Sequence, residues 1–166
     1  TILIHDASAS ALRKMTKANF VSGIGGANTP AFLAHVNSST QTIANNTTVK
    51  ITNYNTEIFD THNAFASGEF TVPSGGAGRY FLSGSISSDT GTQMLAKQFN
   101  IQIKAGSTVY ASVTILRPPY AQLVISTITQ LSEGQTVSMN MYQDSGSTVS
   151  LEGGRRTFFG GFRLIS

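Results

Sequence analysis

The sequence predicts an all-β sandwich or barrel, and three observations carry that prediction. From Thr29 onward, short apolar runs alternate with polar residues at a period of two, with no helical period. Gly, Pro, Asn and Ser punctuate these runs every roughly 8–12 residues, the spacing of a β-sandwich. Only 11% of the 166 residues are charged, against about 25% in an average domain, while 40% are hydrophobic. A disordered chain would carry more charge and fewer β-branched residues. The expected protein therefore has a packed core and an uncharged polar surface.

Residues 1–28 read differently from residues 29–166, and the two stretches are taken as an N-terminal linker or anchor segment and a head. "TILIHDASAS" opens with a short strand over 2–4. "ALRKMTKANFVSGIGG" then has Ser8 or Ser10 as a helix cap, Leu12, Met15 and Asn19 or Phe20 on one face, and Gly23 as a terminator. So short a helix is marginal alone in water and is expected to dock on something. The chain starts on Thr1 rather than Met, as expected of a fragment of something longer.

Strands are predicted over 31–37, 48–53, 68–72, 79–87, 98–106, 107–115, 122–131, 136–143 and 156–166. The cleanest is "QFNIQIKAG", with Phe99, Ile101 and Ile103 on one side and Asn100, Gln102 and Lys104 on the other. Turns at 105–107 and 133–135 read as hairpins. Arg117-Pro118-Pro119 reads as a loop, because two prolines do not fit a central strand.

The last strand breaks the alternation. Phe158, Phe162 and Leu164 point one way, while Phe159 and Ile165 point the other. Val124 and Ile128 give 122–131 the same two-sided character, and Tyr110 and Tyr142 fall on nominally outward faces. A strand that is apolar on both faces needs cover from outside its own sandwich. Phe159, Ile165, Val124, Ile128, Tyr110 and Tyr142 are accordingly read as a subunit interface; the alternative is cover by a long loop of the same chain.

Chemistry is thinly represented. The absence of cysteine excludes disulfides and thiolate metal sites. The three histidines, His5, His35 and His62, have no metal-ligand or catalytic spacing. The eight carboxylates are dispersed, and no Gly-x-Ser-x-Gly lies in a strand–turn–helix setting. No catalytic residue, metal site or cofactor is assigned. A net charge of +3 with scattered basic residues argues against nucleic acid, and no apolar run approaches the roughly 18 residues of a membrane-spanning helix. "PSGGAG" joins two strands and lacks the helix a phosphate cradle needs. Recognition is expected in loops, at 54–62, 74–78, 87–93, 117–120 and 144–153. Tyr120 beside Pro118 and Pro119, Arg117, Asp60 and His62 are the candidate contacts, and Arg155 and Arg156 are placed for an anion.

Two resemblances sharpen this reading. Phe70, Pro73, Gly78 and Tyr80, followed by the closing run Thr157, Phe158, Gly160, Gly161, Phe162 and Leu164, resemble the globular head of complement C1q and the related tumour necrosis factor superfamily. The loop at 73–78 is longer than usual there, and Leu82 stands where an aromatic is common. The resemblance implies a ten-strand antiparallel jelly roll that assembles as a homotrimer with aromatics along the threefold axis. Separately, Ile4, Asp6, Ala7, Ser8, Leu12, Arg13, Lys14, Met15, Thr16, Asn19 and Phe20 resemble a segment of bacteriophage tail fibres that joins a shaft to a terminal head. Together they imply a virion protein whose head contacts a host saccharide or protein, and whose residues 1–28 contact other virion proteins. The runner-up is a capsid decoration or fibre-anchoring protein. A secreted animal-type head fits less well, since no collagen-like stalk is present.

Overall fold

The computed structural model describes residues 2–6, 11–15, 28–38, 41–89, 98–116 and 122–164. Its N-terminal part is a two-stranded hairpin. Strand β1 (Ile2–Asp6) pairs antiparallel with β2 (Ala11–Met15), Ile2 opposite Met15 and Asp6 opposite Ala11. The helix expected across Leu12 and Met15 is therefore corrected to a strand. The competing signal was local: Ala11–Met15 can satisfy its backbone hydrogen bonds by pairing with the Ile2–Asp6 run that precedes it. The proposed helix face at Asn19 and Phe20 lies outside the described residues.

Among the described residues, thirteen further strands form two antiparallel sheets packed face to face, the jelly-roll architecture expected. Sheet I contains β5 (Thr47–Lys50), β7 (Phe65–Ala66), β8 (Glu69–Thr71), β10 (Phe99–Ala105), β11 (Thr108–Ile115) and β13 (Thr136–Gln143). Its order is β11-β10-β13-β8-β7, with β5 beside β8 on the same edge of β13. Sheet II contains β3 (Ala31–His35), β4 (Thr42–Ile43), β6 (Thr56–Asp60), β9 (Gly78–Asp89), β12 (Gln122–Leu131), β14 (Val149–Leu151) and β15 (Phe158–Arg163). Its order is β4-β14-β9-β15-β3-β6, with β12 on β9. No helix occurs among the described residues.

The 12-residue β9 organises sheet II, because β12, β14 and β15 all pair with it. The strands missed in sequence are the short ones, β4, β7 and β14, and β6, whose sequence TEIFD has no clean alternation. The turn at 105–107 closes the β10–β11 hairpin, with Gly106 at φ +55°. The turn at 133–135 is not a hairpin. It carries the chain from sheet II to sheet I, and the Gly134 and Val72 amides bond across to Val72 and Gln135 carbonyls.

Between the sheets lies one core. Sheet I contributes Phe70, Phe99, Ile101, Ile103, Val137, Met139 and Met141; sheet II contributes Phe32, Tyr80, Leu82, Ile86 and Phe159. Phe32 stacks on Phe70 with ring centroids 4.5 Å apart and on Phe65 at 5.1 Å, and meets Phe159 edge-on. These are favourable aromatic geometries, and each ring removes roughly 150–250 Å² from water. Gly84 lets the sheets approach here: a Cβ would stand 2.7 Å from Met139 Sδ. Of the aromatic residues between 59 and 81, Phe65, Phe70 and Tyr80 are core, while Phe59 and Phe81 face outward.

Candidate functional site

Strand pairing in sheet II sets its outer face in three rows, because directly opposed residues share a face. The first row runs Ile128, Phe81, Phe162, Ala31 across β12, β9, β15 and β3. The second runs Ser126, Ser83, Gly160, Leu33, Phe59 and reaches β6. The third runs Val124, Ser85, Phe158, His35. Apolar side chains form two rails, and small Ser83 and Gly160 form the floor between them. The result is a trough of about 200 Å³ walled by Phe59, Phe81, Phe158, Phe162 and Leu33. A Cβ on Gly160 would stand 2.9 Å from Leu33 Cδ1 and 3.0 Å from the Phe32 carbonyl oxygen, so a side chain here would crowd the floor. A second hollow of about 280 Å³ adjoins it, lined by Leu33, His35, Ile58, Phe158 and Arg155.

This apolar surface is uncovered in a single chain. Val124 is 61% and Ile128 62% exposed, and Ile58 and Phe59 are close to half exposed. It continues round one side of the sandwich, where β11 and β12 lie side by side. Each has one strand partner among the described residues, β10 and β9 respectively. Val109, Ile115 and Leu116 are exposed there. Neither Thr108–Ile115 nor Gln122–Leu131 contains a charged residue or a proline, the devices by which proteins normally protect an open edge.

The expected interface residues divide. Val124 and Ile128 stand on this face. Phe159 does not: it is wholly buried in its own chain's core, against Phe32, Phe65 and Tyr54. The face of β15 that looks outward is the one carrying Phe158 and Phe162, so the assignment of the two faces of this strand is reversed. Tyr110 and Tyr142 belong to sheet I. Tyr110 is partly buried against the core and its hydroxyl accepts from Gln135 Nε2, whereas the Tyr142 hydroxyl donates to Asn46 Oδ1. Ile165 lies outside the described residues. Phe81, Phe162, Phe158 and Ile58 are the contributors that sequence reasoning missed, and the opposed register of β9 and β15 is the signal that identifies the first three.

The expected loop contacts are mostly occupied in holding the fold. Asp60 Oδ1 and Oδ2 accept from the backbone amides of His62 and Phe65, closing the turn after β6. His62 Nδ1 lies 2.8 Å from Thr61 Oγ1, which in turn accepts from the Ala31 amide. Arg156 pairs with Glu152, whose other oxygen accepts from Ser87 Oγ; these two donors, Ser87 first, hold its carboxyl below the usual carboxylate range. Arg155 lines the 280 Å³ hollow. Arg117 and Tyr120 lie outside the described residues. The loop at 74–78 is tied down by Tyr80 Oη donating to the Gly76 carbonyl and by Glu133 accepting from the Gly75 amide, which draws the Glu133 pKa down. Burial pushes the Tyr54 hydroxyl pKa up, and this hydroxyl has no hydrogen-bond partner among the described residues. Among the described residues, no three His, Asp or Glu side chains cluster as metal ligands.

No family model and no curated protein matches the chain. Solved structures do. Vertex protein P5 of the phage PRD1 is 14% identical with a TM-score of 0.63, over 84% of this chain and 99% of that one. The tumour necrosis factor Eiger of S. frugiperda is 13% identical with a TM-score of 0.60, over 81% and 91%. The globular domain of the zebrafish complement 1qA protein is 18% identical with a TM-score of 0.53, over 81% and 97%. At these identities the similarity establishes the fold, a C1q/TNF-like jelly roll.

Proposed function

We propose that this chain is a non-enzymatic structural protein of a phage virion, the homotrimeric head of a fibre or spike that contacts the host surface. The observation that carries the reading is the uncovered apolar face of sheet II together with the charge-free β11/β12 side. Burying such a surface between copies stabilises an assembly by about 25 cal/mol per Å² before the costs of association. The face and the side are different patches of one subunit. Joining the side of one copy to the face of the next is a head-to-tail contact, which generates a ring when the rotation closes. In that ring Val109, Ile115 and Leu116 of the side meet the trough floored by Gly160 and flanked by Val124 and Ile128. The virion setting draws on the similarity to a phage vertex protein over most of both chains. Residues 1–28 serve as the linker to the rest of the particle, and 29–166 as the head.

That same similarity favours a second reading, a capsid or fibre-anchoring component that stabilises the shell, since a vertex is a position on a capsid. Two measurements test the pair. A mass of three chains at micromolar concentration is expected in solution; a monodisperse monomer removes the assembly. Binding of the purified chain to intact bacterial cells supports host contact, and binding only to mature capsids supports the anchoring role.

A further inference from the structure

The outer face of sheet I has a chemistry unlike the rest of the surface. Register across β11, β10, β13 and β5 puts Thr114, Asn100, Tyr142 and Thr48 in one row, and Ser112, Gln102, Asn140 and Lys50 in the next. None of these is aliphatic and none is acidic. Glu69 on the neighbouring β8 is paired with Lys50 at 3.1 Å. Lys104 is the remaining charge, and it has no ion pair among the described residues.

The amides are fixed in place. Asn100 Nδ2 donates to Ser112 Oγ at 2.8 Å and to Thr114 Oγ1 at 2.7 Å, and lies 3.2 Å from the Val113 carbonyl. Asn140 Nδ2 donates to Ser138 Oγ at 3.0 Å. Both residues are only 6% exposed although they stand on an outward face. Their Oδ1 atoms accept no hydrogen bond among the described residues. The Gln102 amide, between them, makes no hydrogen bond among the described residues. The Tyr142 ring is anchored by its hydroxyl on Asn46. Hydroxyls, amide acceptors, a spare amide and a ring are therefore held on rigid strands, where binding costs least ordering.

We propose that this face is a binding platform for a neutral, hydroxyl-rich polysaccharide. Sugar hydroxyls donate and accept at once, which is what a lattice of fixed carbonyl oxygens, amide N–H groups and side-chain hydroxyls answers; the C–H face of a pyranose suits the Tyr142 ring. A polyanion or nucleic acid needs several clustered cations, and Lys104 alone does not supply them. A protein partner needs an apolar centre, which these rows lack. The proposal rests on the reading of the chain as a surface-binding head and moves recognition from the loops to the sheet.

The test uses the full chain on immobilised dextran, mannan and galactan, with polygalacturonate as the anionic arm. Binding to at least one neutral polymer and not to polygalacturonate is expected. The double variant Gln102→Ala, Tyr142→Ala is expected to lose about tenfold or more in affinity, with unchanged mass and thermal midpoint. Gln102→Ala alone, which breaks no hydrogen bond, repeats the test should the double variant fold poorly. Full affinity in the variants, or preference for polygalacturonate, overturns the proposal. Binding to intact cells without binding to any neutral polymer overturns it while leaving the surface-binding head intact; binding to neither removes both.

Discussion

The two outward faces of one sandwich are built on the same period-two pattern and end with opposite chemistry. On sheet I the outward positions of β10 are Asn100, Gln102 and Lys104, while those of β15 on sheet II are Phe158, Gly160 and Phe162. Inward, β10 sends Phe99, Ile101 and Ile103 into the core and β15 sends Phe159 into the same core. A core therefore does not distinguish the faces; only the residues left over after the core is filled do. A polar leftover row is at ease in water. An apolar one is stable only if something covers it.

Removing a ring from the shared core should damage both faces alike, and this is the largest effect expected. Phe159 is wholly buried and touches Phe32, Phe65 and Tyr54. Phe159→Ala should cost about 3–5 kcal/mol of folding stability, read as a shift of the urea midpoint. A seam residue would instead leave the isolated subunit intact and weaken only assembly. A Phe159→Ala chain with wild-type subunit stability and lost assembly would put this ring back on the outside.

Charging the apolar face should break the symmetry between the two sheets. Val124→Lys with Ile128→Lys places two cations where both side chains are about three-fifths exposed, so the single subunit has little to lose. Buried between copies, the same charges carry a heavy desolvation penalty. The double variant should shift sedimentation from trimer toward monomer with at least about a tenfold loss in association, about 1.4 kcal/mol. Ser112→Lys with Thr114→Lys on sheet I should leave the mass unchanged. Equal behaviour of the two pairs would mean that the faces do not differ in what covers them.

How much of this was legible follows from which signals are local. The inward alternation of β10 and β13 is written in consecutive residues, so those strands and the sandwich were readable. That β15 is apolar on both faces was readable too. Which face is inside was not, because it depends on Gly84 and Gly161 letting Met139 and Leu82 approach, a contact between residues far apart in the chain. Phe81 and Phe162 join one surface only through the β9–β15 register, with ring centroids 5.5 Å apart. The loop residues misled for a related reason. Asp60 and Arg156 look free in sequence, but the carboxylate caps the turn amides of His62 and Phe65, and the guanidinium meets Glu152 after a tight turn. The β1–β2 hairpin was hidden because five residues such as Ala11–Met15 carry no period long enough to separate helix from strand.

The smallest expected effect concerns the rim of the apolar face, where the 152–157 turn leads into β15. Glu152 accepts from Ser87 Oγ at 2.7 Å and from Arg156, and Thr157 Oγ1 accepts from the Ser87 amide at 3.0 Å, so the turn is fastened to β9. The Glu152 carboxyl is held below its ordinary value in the folded chain, by Ser87 first and Arg156 second. A group with a lowered folded pKa stabilises the fold above its unfolded value of about 4.3, and that contribution is lost as pH falls through the folded value. The side chain is 35% exposed, so water and salt screen the pair and the effect should be about 0.5 kcal/mol or less. Glu152→Gln keeps a carbonyl oxygen for the same donors but cannot titrate. Its urea midpoint should match wild type within that margin at pH 7 and should fall less steeply than wild type from pH 5 to 3. Parallel acid limbs for the two proteins would show that the proton-sensitive fastening of β15 lies elsewhere.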